Sequence, residues 1–245
     1  VSLSEANLGR QIDTRLADDA PDWFFIDIQP HQIAVFVQTV ANIDGITEMS
    51  KTPMLRGRVV KLAGVPVSQI TPTEGSAWIL RGDRALTWSA TPPKGSELVE
   101  GEWWDSQYAG PPVVSMSYEA ANDFGLTIGD TVSINVLGRE VTATITSLRA
   151  VDWESFSINF VFVLSPGLLE AAPHSWMASA RVDSDDAAIA VDRRVAAAFS
   201  NVSTISVREA VATAQRVIGL LGAAVQMTAL VTLVAGIAVL AGTVA

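Results

Sequence analysis

The sequence predicts an α+β fold in which both chain ends form one subdomain, a mostly-β subdomain is inserted between them, and a C-terminal stalk continues into a transmembrane helix. Three observations support this prediction. A strand–helix–strand pattern lies near each end of the body, short apolar runs separated by turn residues fill the middle, and residues 217–245 carry no charge. The predicted boundaries are 1–17 for an N-terminal stalk helix, 18–65 with 174–206 for the α+β subdomain, 66–173 for the inserted subdomain, and 207–245 for the C-terminal stalk and transmembrane helix.

The α+β subdomain is predicted from two separate stretches. Residues 23–28 are mostly large and apolar, which indicates a buried strand. Pro30 then precedes a run in which apolar residues recur at helical spacing, and proline is favoured at a helix start. The second stretch repeats this order, and its helix begins with acidic residues, which a helix N-terminus favours. The predicted elements are strands over 23–28, 46–49, 55–63, 176–182 and 202–206, and helices over 32–41 and 183–200.

The inserted subdomain is predicted to be a small barrel or sandwich. Its apolar runs are short, and Gly and Pro pairs such as Pro92-Pro93 and Pro166-Gly167 separate them. This spacing is typical of all-β architectures. The predicted strands cover 77–80, 86–89, 113–117, 132–137, 140–150 and 159–164, and one helix covers 118–124.

The C-terminal stretch is predicted to be a stalk that continues into the membrane. Ser206 with Glu209 has the spacing of a capping box, which predicts a helix start. From Val217 onward the chain is uncharged, and the stretch is longer than the ~20 residues that a bilayer core requires. A buried core helix is the alternative, although a core helix of this length without a charge is rare. Residues 3–16 are predicted to form a second stalk helix.

Composition argues against several classes of function. The formal net charge is -10, whereas nucleic-acid binding requires a basic surface. The chain has no cysteine, which excludes disulfides and thiolate metal sites. We also find no hydrolase, phosphate-loop or zinc-protease motif.

The titratable residues give weak indications of chemistry. The two histidines, His31 and His174, stand far apart in the sequence, and each follows a proline. Asp183, Asp185 and Asp186 could bind calcium, but capping of the following helix explains them more simply. A carboxylate pair, residues 152 and 154, could in principle serve acid/base chemistry. We predict no catalytic, metal-binding or cofactor-binding residue.

An aromatic stretch provides the candidate contact surface. Trp103, Trp104 and Tyr108 lie in a loop rich in glycine and proline, where they could contact a partner or cargo. Alternatively, these rings cap the barrel. Trp153 and Phe156 complete the set of candidate contact residues.

Several segments along nearly the whole chain carry a family resemblance, and the stretch around VDWES is the most specific. They are residues 20–28 (APDWFFIDI), 86–88 (LTW), 99–104 (VEGEWW), 120–132 (AANDFGLTIGDTV) and 146–156 (TSLRAVDWESF), with Asn159-Phe160. In these segments, which occur in the family's order, the sequence resembles the large MacB/FtsX-like ABC transporter permeases of the YbbP type.

The resemblance implies the second periplasmic domain of an inner-membrane permease, with a porter-like subdomain and an inserted sabre-like subdomain. It also implies a cytoplasmic ABC ATPase dimer as partner, no enzyme activity and no cofactor in the permease itself, and transmission of ATP-driven motion across the membrane. Hydrophobic or lipid-like cargo and a periplasmic esterase or thioesterase partner are implied for the YbbP type. Two alternatives stay open: a membrane-anchored periplasmic hydrolase or esterase, and a sensor or adaptor domain without an ATPase.

Overall fold

The computed structural model describes residues 20–153, 158–213 and 216. Within these residues the chain forms a mixed α/β structure dominated by one large mixed sheet. The strands are β1 (Trp23–Ile28), β2 (Ile46–Leu62), β3 (Val65–Pro66), β4 (Arg84–Trp88), β5 (Ser96–Gly101), β6 (Val113–Ser117), β7 (Thr131–Val136), β8 (Arg139–Val151), β9 (Phe162–Leu164), β10 (Ser175–Val182) and β11 (Ser203–Ser206). The helices are α1 (Ile33–Ala41), α2 (Ala77–Leu80), α3 (Tyr118–Phe124) and α4 (Asp185–Ala198), with a 3-10 turn at Val67–Gln69.

Six strands of the middle region close into a barrel. β2 pairs with β4, β4 with β9, β9 with β6, β6 with β8, β8 with β7, and β7 pairs back onto β2. The β4–β9 and β6–β8 pairs are parallel and the other four are antiparallel. The largest core cluster is formed by residues of these strands, including Leu86, Met116, Ile145 and Phe162, all fully buried. Of the two architectures that the sequence left open, the structure therefore has the barrel.

A second core lies where the two ends of the described globular unit pack together. β1 pairs with β10, and β10 pairs with the first half of β2, all antiparallel. Helices α1 and α4 contribute a buried aromatic group to this core: Phe36 lies 5.0 Å from Phe25 and 5.3 Å from Phe199 between ring centroids. The predicted strands over 23–28, 176–182 and 202–206 and the predicted helices over 32–41 and 183–200 agree with the structure to within a few residues.

Strand β2 joins the two cores. Its first half pairs with β10, and from Leu55 onward it pairs with β4 and β7 of the barrel. The sequence predicted two strands, over 46–49 and 55–63. This prediction was wrong: Pro53 lies inside one continuous strand opposite Trp176, and its carbonyl accepts a 2.7 Å hydrogen bond from Thr87 Oγ1.

Two further predictions need correction. Residues 77–80 form the short helix α2 and not a strand, and the amides of Ser76 and Ala77 donate to the carbonyl of Thr73. A short apolar run cannot distinguish strand from helix. Strand β5 was missed because nearly all of its residues are exposed, so it has no apolar face to detect.

The described residues up to Thr204 belong to one compact unit, and Ile205 begins a second. The subdomain boundaries at 65/66 and 173/174 stay a prediction. In the second unit a helix begins at Val207, and the Glu209 amide donates to Ser206 Oγ over 3.3 Å, as the capping-box spacing predicts. No helix within the described part of the chain is long and apolar enough to cross a membrane. The predicted stalk over 1–17 and the predicted span over 217–245 lie outside the described residues.

Candidate binding surfaces

A cleft of about 330 Å³ lies between the two cores. Its walls come from the first half of β2, the end of β4, strand β10 and the loop over 89–94. Three basic residues, Lys51, Lys94 and Arg181, line it together with one acidic residue, Glu48. On a chain with a net charge of -10, this is a locally basic surface.

Glu48 organises the charges of this cleft. Its carboxylate accepts a 2.9 Å hydrogen bond from Lys94 Nζ and lies 3.8 Å from Arg181 Nη1. The hydrogen bond and charge of Lys94, together with the charge of Arg181, hold the pKa of Glu48 below the ordinary glutamate value. Because these side chains are largely exposed, the ion pair contributes little to stability. Its main effect is to tie the 89–94 loop to β2.

Three of the predicted contact residues lie together beside this loop. The Trp103 and Trp104 rings lie 4.1 Å apart between centroids, and both indoles donate to the loop backbone. Trp103 Nε1 donates to the Ala90 carbonyl over 3.0 Å, and Trp104 Nε1 donates to the Ser89 carbonyl over 2.9 Å. The Tyr108 hydroxyl donates a 2.7 Å hydrogen bond to the Pro111 carbonyl, within the same loop.

The environment of these rings is mainly that of a small core. Trp104 is 8% exposed and belongs to a buried cluster with Met54, Val113 and Phe160, whereas Trp103 and Tyr108 are partly buried against it. The cluster therefore covers one side of the barrel and holds the loop that lines the cleft. A contact role for these three residues stays a prediction.

The other two predicted contact residues do not join this cluster. Trp153 lies 47% exposed beside Trp78, which is 44% exposed, with 6.2 Å between ring centroids and the rings nearly perpendicular. This pair lines a second, smaller cavity of about 230 Å³ that also includes Glu119 and Asp123. Phe156 lies outside the described residues.

Arg149 is buried at the centre of the barrel wall, 1% exposed. Its guanidinium donates to Ser115 Oγ over 3.0 Å, to Ser96 Oγ over 3.0 Å and to the Phe160 carbonyl over 3.1 Å. Burial lowers the pKa of Arg149 to about 10, and the charge of Glu119 opposes this shift. The side chain stays cationic at neutral pH and fastens strands β5, β6 and β8 to the segment before β9.

The two histidines occupy unremarkable positions. His31 is exposed. His174 Nδ1 lies 2.8 Å from the Ala172 carbonyl, and the imidazole contacts Trp88 edge-on with 4.9 Å between centroids. These contacts make His174 part of the packing at the start of β10.

The acidic residues near 185 cap a helix, as predicted. Ser184 Oγ accepts the Ala187 amide over 3.3 Å, and Asp185 and Asp186 occupy the first turn of α4. Among the described residues no group of three or more His, Asp or Glu side chains could hold a metal ion. Of the carboxylate pair at 152 and 154, residue 154 lies outside the described part of the chain.

Sequence reasoning missed four residues of interest: Trp78, Glu119, Asp123 and Arg149. A signal for Arg149 was present, because every second residue of β8 from Ala143 to Val151 is buried and Arg149 is in phase with them. Of the remaining three, Glu119 and Asp123 share helix α3, whereas Trp78 lies on α2, so no local pattern associates Trp78 with the two carboxylates.

No family model matches the sequence. The chain is 33% identical over 171 residues to the uncharacterized ABC transporter permease YbbP of Escherichia coli strain K12. This match covers 68% of the chain and 20% of the relative, so the chain spans about a fifth of the length of that protein.

Among solved structures, the chain aligns with a domain of a candidate permease protein from Porphyromonas gingivalis. The TM-score is 0.43 at 14% identity, and the alignment covers 77% of this chain and 89% of that domain. The sequence match to YbbP confirms the resemblance on which the prediction rested. Over the matched residues, the chain is a homologue of an ABC transporter permease and corresponds to a segment of that longer protein.

Proposed function

We propose that this chain is the second periplasmic domain of an inner-membrane ABC transporter permease, and that it transmits motion driven by a cytoplasmic ATPase dimer. The observation that carries the proposal is the 33% identity to YbbP over 171 residues. A permease domain of this kind has no need of a catalytic centre, because the chemical work is done by the ATPase. Hydrophobic or lipid-like cargo, and a periplasmic esterase partner, rest on the family resemblance alone.

The local structure near Ser206 supports transmission. Strand β11 ends at Ser206 and the helix begins at Val207, so no linker residue separates the two elements. The capping hydrogen bond from the Glu209 amide fixes the first turn of this helix. A movement of the helix would therefore be passed on to the strand without being absorbed by a flexible segment.

Strand β2 offers a route for such movement within the globular unit. Since one strand contributes to both cores, displacement of the sheet that contains β10 would also act on the barrel. The cleft beside β2 lies between these cores. A displacement of one core relative to the other would therefore change the distances across this cleft most.

The test uses the full-length permease, reconstituted with its ATPase in nanodiscs. A label is attached at Ile189→Cys, because Ile189 is 65% exposed and the chain described here has no cysteine of its own. The measurement is the change in distance between this label and the bilayer surface when a non-hydrolysable ATP analogue is added. When no residues are inserted between Ser206 and Val207, we expect this distance to change on addition of the nucleotide.

Insertion of three glycines between Ser206 and Val207 should abolish that change while ATP hydrolysis continues. The matched control inserts the same three glycines between Leu137 and Gly138, at the exposed tip of the β7–β8 hairpin, and should preserve it. A label that does not respond to nucleotide, or a junction insertion without effect, would contradict transmission through this helix.

A further inference from the structure

The exposed pair Trp78 and Trp153 forms the corner of a cavity for which the proposed function has no use. Two tryptophans, each more than two fifths exposed, are unusual on a protein surface unless they contact something. The rings meet at 88°, so they form two adjoining walls and not one flat platform. The cavity between them and helix α3 measures about 230 Å³.

The charged residues that line this cavity, among those the structure describes, are both acidic. Glu119 and Asp123 stand four residues apart on α3 and therefore lie on one face of that helix. Each is oriented by one hydrogen bond: Glu119 Oε2 accepts from Ser117 Oγ over 2.7 Å, and Asp123 Oδ2 accepts from Thr73 Oγ1 over 3.3 Å. The carboxylates are thus held at the cavity instead of extending freely into solvent.

The Trp78 ring already carries a cation. The guanidinium carbon of Arg84 lies 5.6 Å from the centroid of this ring, within the range of a cation–π interaction. Arg84 does not line the cavity, so its guanidinium does not occupy the space between the two tryptophans. The contact also holds the ring in place, since Arg84 belongs to the neighbouring strand β4.

We infer that this cavity binds an alkylated ammonium group, with Trp78 and Trp153 as the aromatic walls and Glu119 and Asp123 as the counter-charge. Perpendicular aromatic walls with nearby carboxylates are the arrangement that recognises quaternary ammonium ions, whose methyl groups contact ring faces while the charge is balanced without a strong hydrogen bond. A saccharide, the other ligand that exposed tryptophans commonly bind, would be better served by a flat platform. The inference goes beyond the proposed function, because none of these four residues takes part in the transmission route.

The test is a titration of the 15N-labelled chain in nanodiscs of phosphatidylglycerol, which has no ammonium headgroup. Choline chloride is added, and the indole N–H resonances of Trp78 and Trp153 are followed, with sodium chloride as the ionic-strength control. We expect saturable shifts of these two resonances. The neutral isostere 3,3-dimethyl-1-butanol, which has the shape of choline without its charge, should bind at least about tenfold more weakly.

Substitutions in the aromatic walls and the carboxylates test whether choline binds in this cavity. Trp153→Ala should weaken choline binding about tenfold, Trp153→Phe less, and Asp123→Asn several-fold. Because Trp153 and Asp123 are exposed, these variants should fold normally. Ile189→Ala removes an apolar side chain that is even more exposed, on α4, and should leave the affinity unchanged.

Phosphocholine distinguishes the source of the ammonium group. Binding as tight as that of choline would indicate a lipid headgroup, whereas weaker binding, caused by repulsion between phosphate and the two carboxylates, would indicate a free cation or a modified side chain. Equal binding of choline and its neutral isostere would overturn the inference. Full affinity in Trp153→Ala, or shifts with N-acetylglucosamine but none with choline, would overturn it as well.

Discussion

The buried guanidinium of Arg149 allows a sharp test of what stabilises the barrel. We compare Arg149→Lys, which keeps the charge but loses the planar fork of donors, with Arg149→Met, which removes the charge and keeps most of the volume. The structure predicts that the lysine substitution is the more destabilising of the two, although it is the more conservative in charge.

The magnitudes follow from the contacts. The three shortest hydrogen bonds, to Ser115, Ser96 and Phe160, each involve a charged donor and contribute roughly 1.5–3 kcal/mol. Desolvation opposes them by about 3 kcal/mol, as the lowering of the pKa of Arg149 to about 10 indicates. Arg149→Lys keeps this desolvation and can make about one of the bonds, so we expect a loss of about 4 kcal/mol.

Arg149→Met removes the hydrogen bonds together with the desolvation. Its main remaining penalty is the unsatisfied carbonyl of Phe160, about 2 kcal/mol, because Ser115 Oγ still accepts a 2.7 Å hydrogen bond from Ser147 Oγ. The exposed Arg139 on the same strand provides a matched control, and Arg139→Met should change stability by less than about 0.5 kcal/mol.

The assay is urea unfolding of the whole chain in detergent, followed by tryptophan fluorescence. The difference in unfolding free energy between the two Arg149 variants is the quantity of interest. If Arg149→Lys proved as stable as Arg149→Met, the multiple hydrogen bonds would not be what compensates the buried charge, and the reasoning would be refuted.

Three other predictions concern the surface and the turns. Lys94→Met should raise the pKa of Glu48 in an NMR titration, and an unshifted pKa would contradict this. Because the pKa of Glu48 is lowered in the folded state, the stabilisation from this ion pair is present above the ordinary glutamate pKa and is lost as the pH falls through the folded value. The variant should therefore lose less stability on acidification than the unsubstituted chain, by under about 1 kcal/mol. Gly101→Ala should lower the unfolding free energy by about 3 kcal/mol or more, because a methyl group there overlaps the β8 backbone. Gly64→Ala, with a similar positive φ of 78° but open space around it, should lower it by about 1 kcal/mol. Equal losses in urea unfolding would show that the overlap is not what destabilises the Gly101 variant. Leu137→Asn should raise the unfolding free energy by about 0.5–1 kcal/mol, since this residue is 68% exposed with φ at 50°, a conformation that asparagine tolerates better, and a loss of stability would show that the leucine makes contacts of value.

Elements with a complete local signal were predicted well. Helix α3 begins and ends where the sequence places it, because Ser117 caps its N-terminus and Gly125 adopts the left-handed conformation, φ 66°, that ends it. Strand β1 and the start of the helix at Val207 were predicted for the same reason, since large apolar residues and a capping box act over a few positions of the chain.

Elements that depend on distant partners were predicted poorly. Residues 77–80 form a short apolar run that fits a strand or a helix, and Ile79 packs into the barrel core that distant strands form. Strand β2 continues through Pro53 because the segments on both sides of this residue pair with distant strands, β10 on one side and β4 and β7 on the other. The same limit applies to the candidate surfaces, because no local pattern shows that Trp153 lies beside Trp78.

The sequence by itself determined the order of helices and strands, the relationship to an ABC transporter permease, and the absence of cysteine chemistry, because each follows from residue types and short-range spacing. Tertiary structure alone decided that the strands close into a barrel, that β2 is shared by two cores, and that Arg149 lies buried among neutral acceptors. It also decided which aromatic rings meet. These features depend on pairings between residues far apart in the chain, and pairing energies of that kind leave no periodic trace in either partner's local sequence.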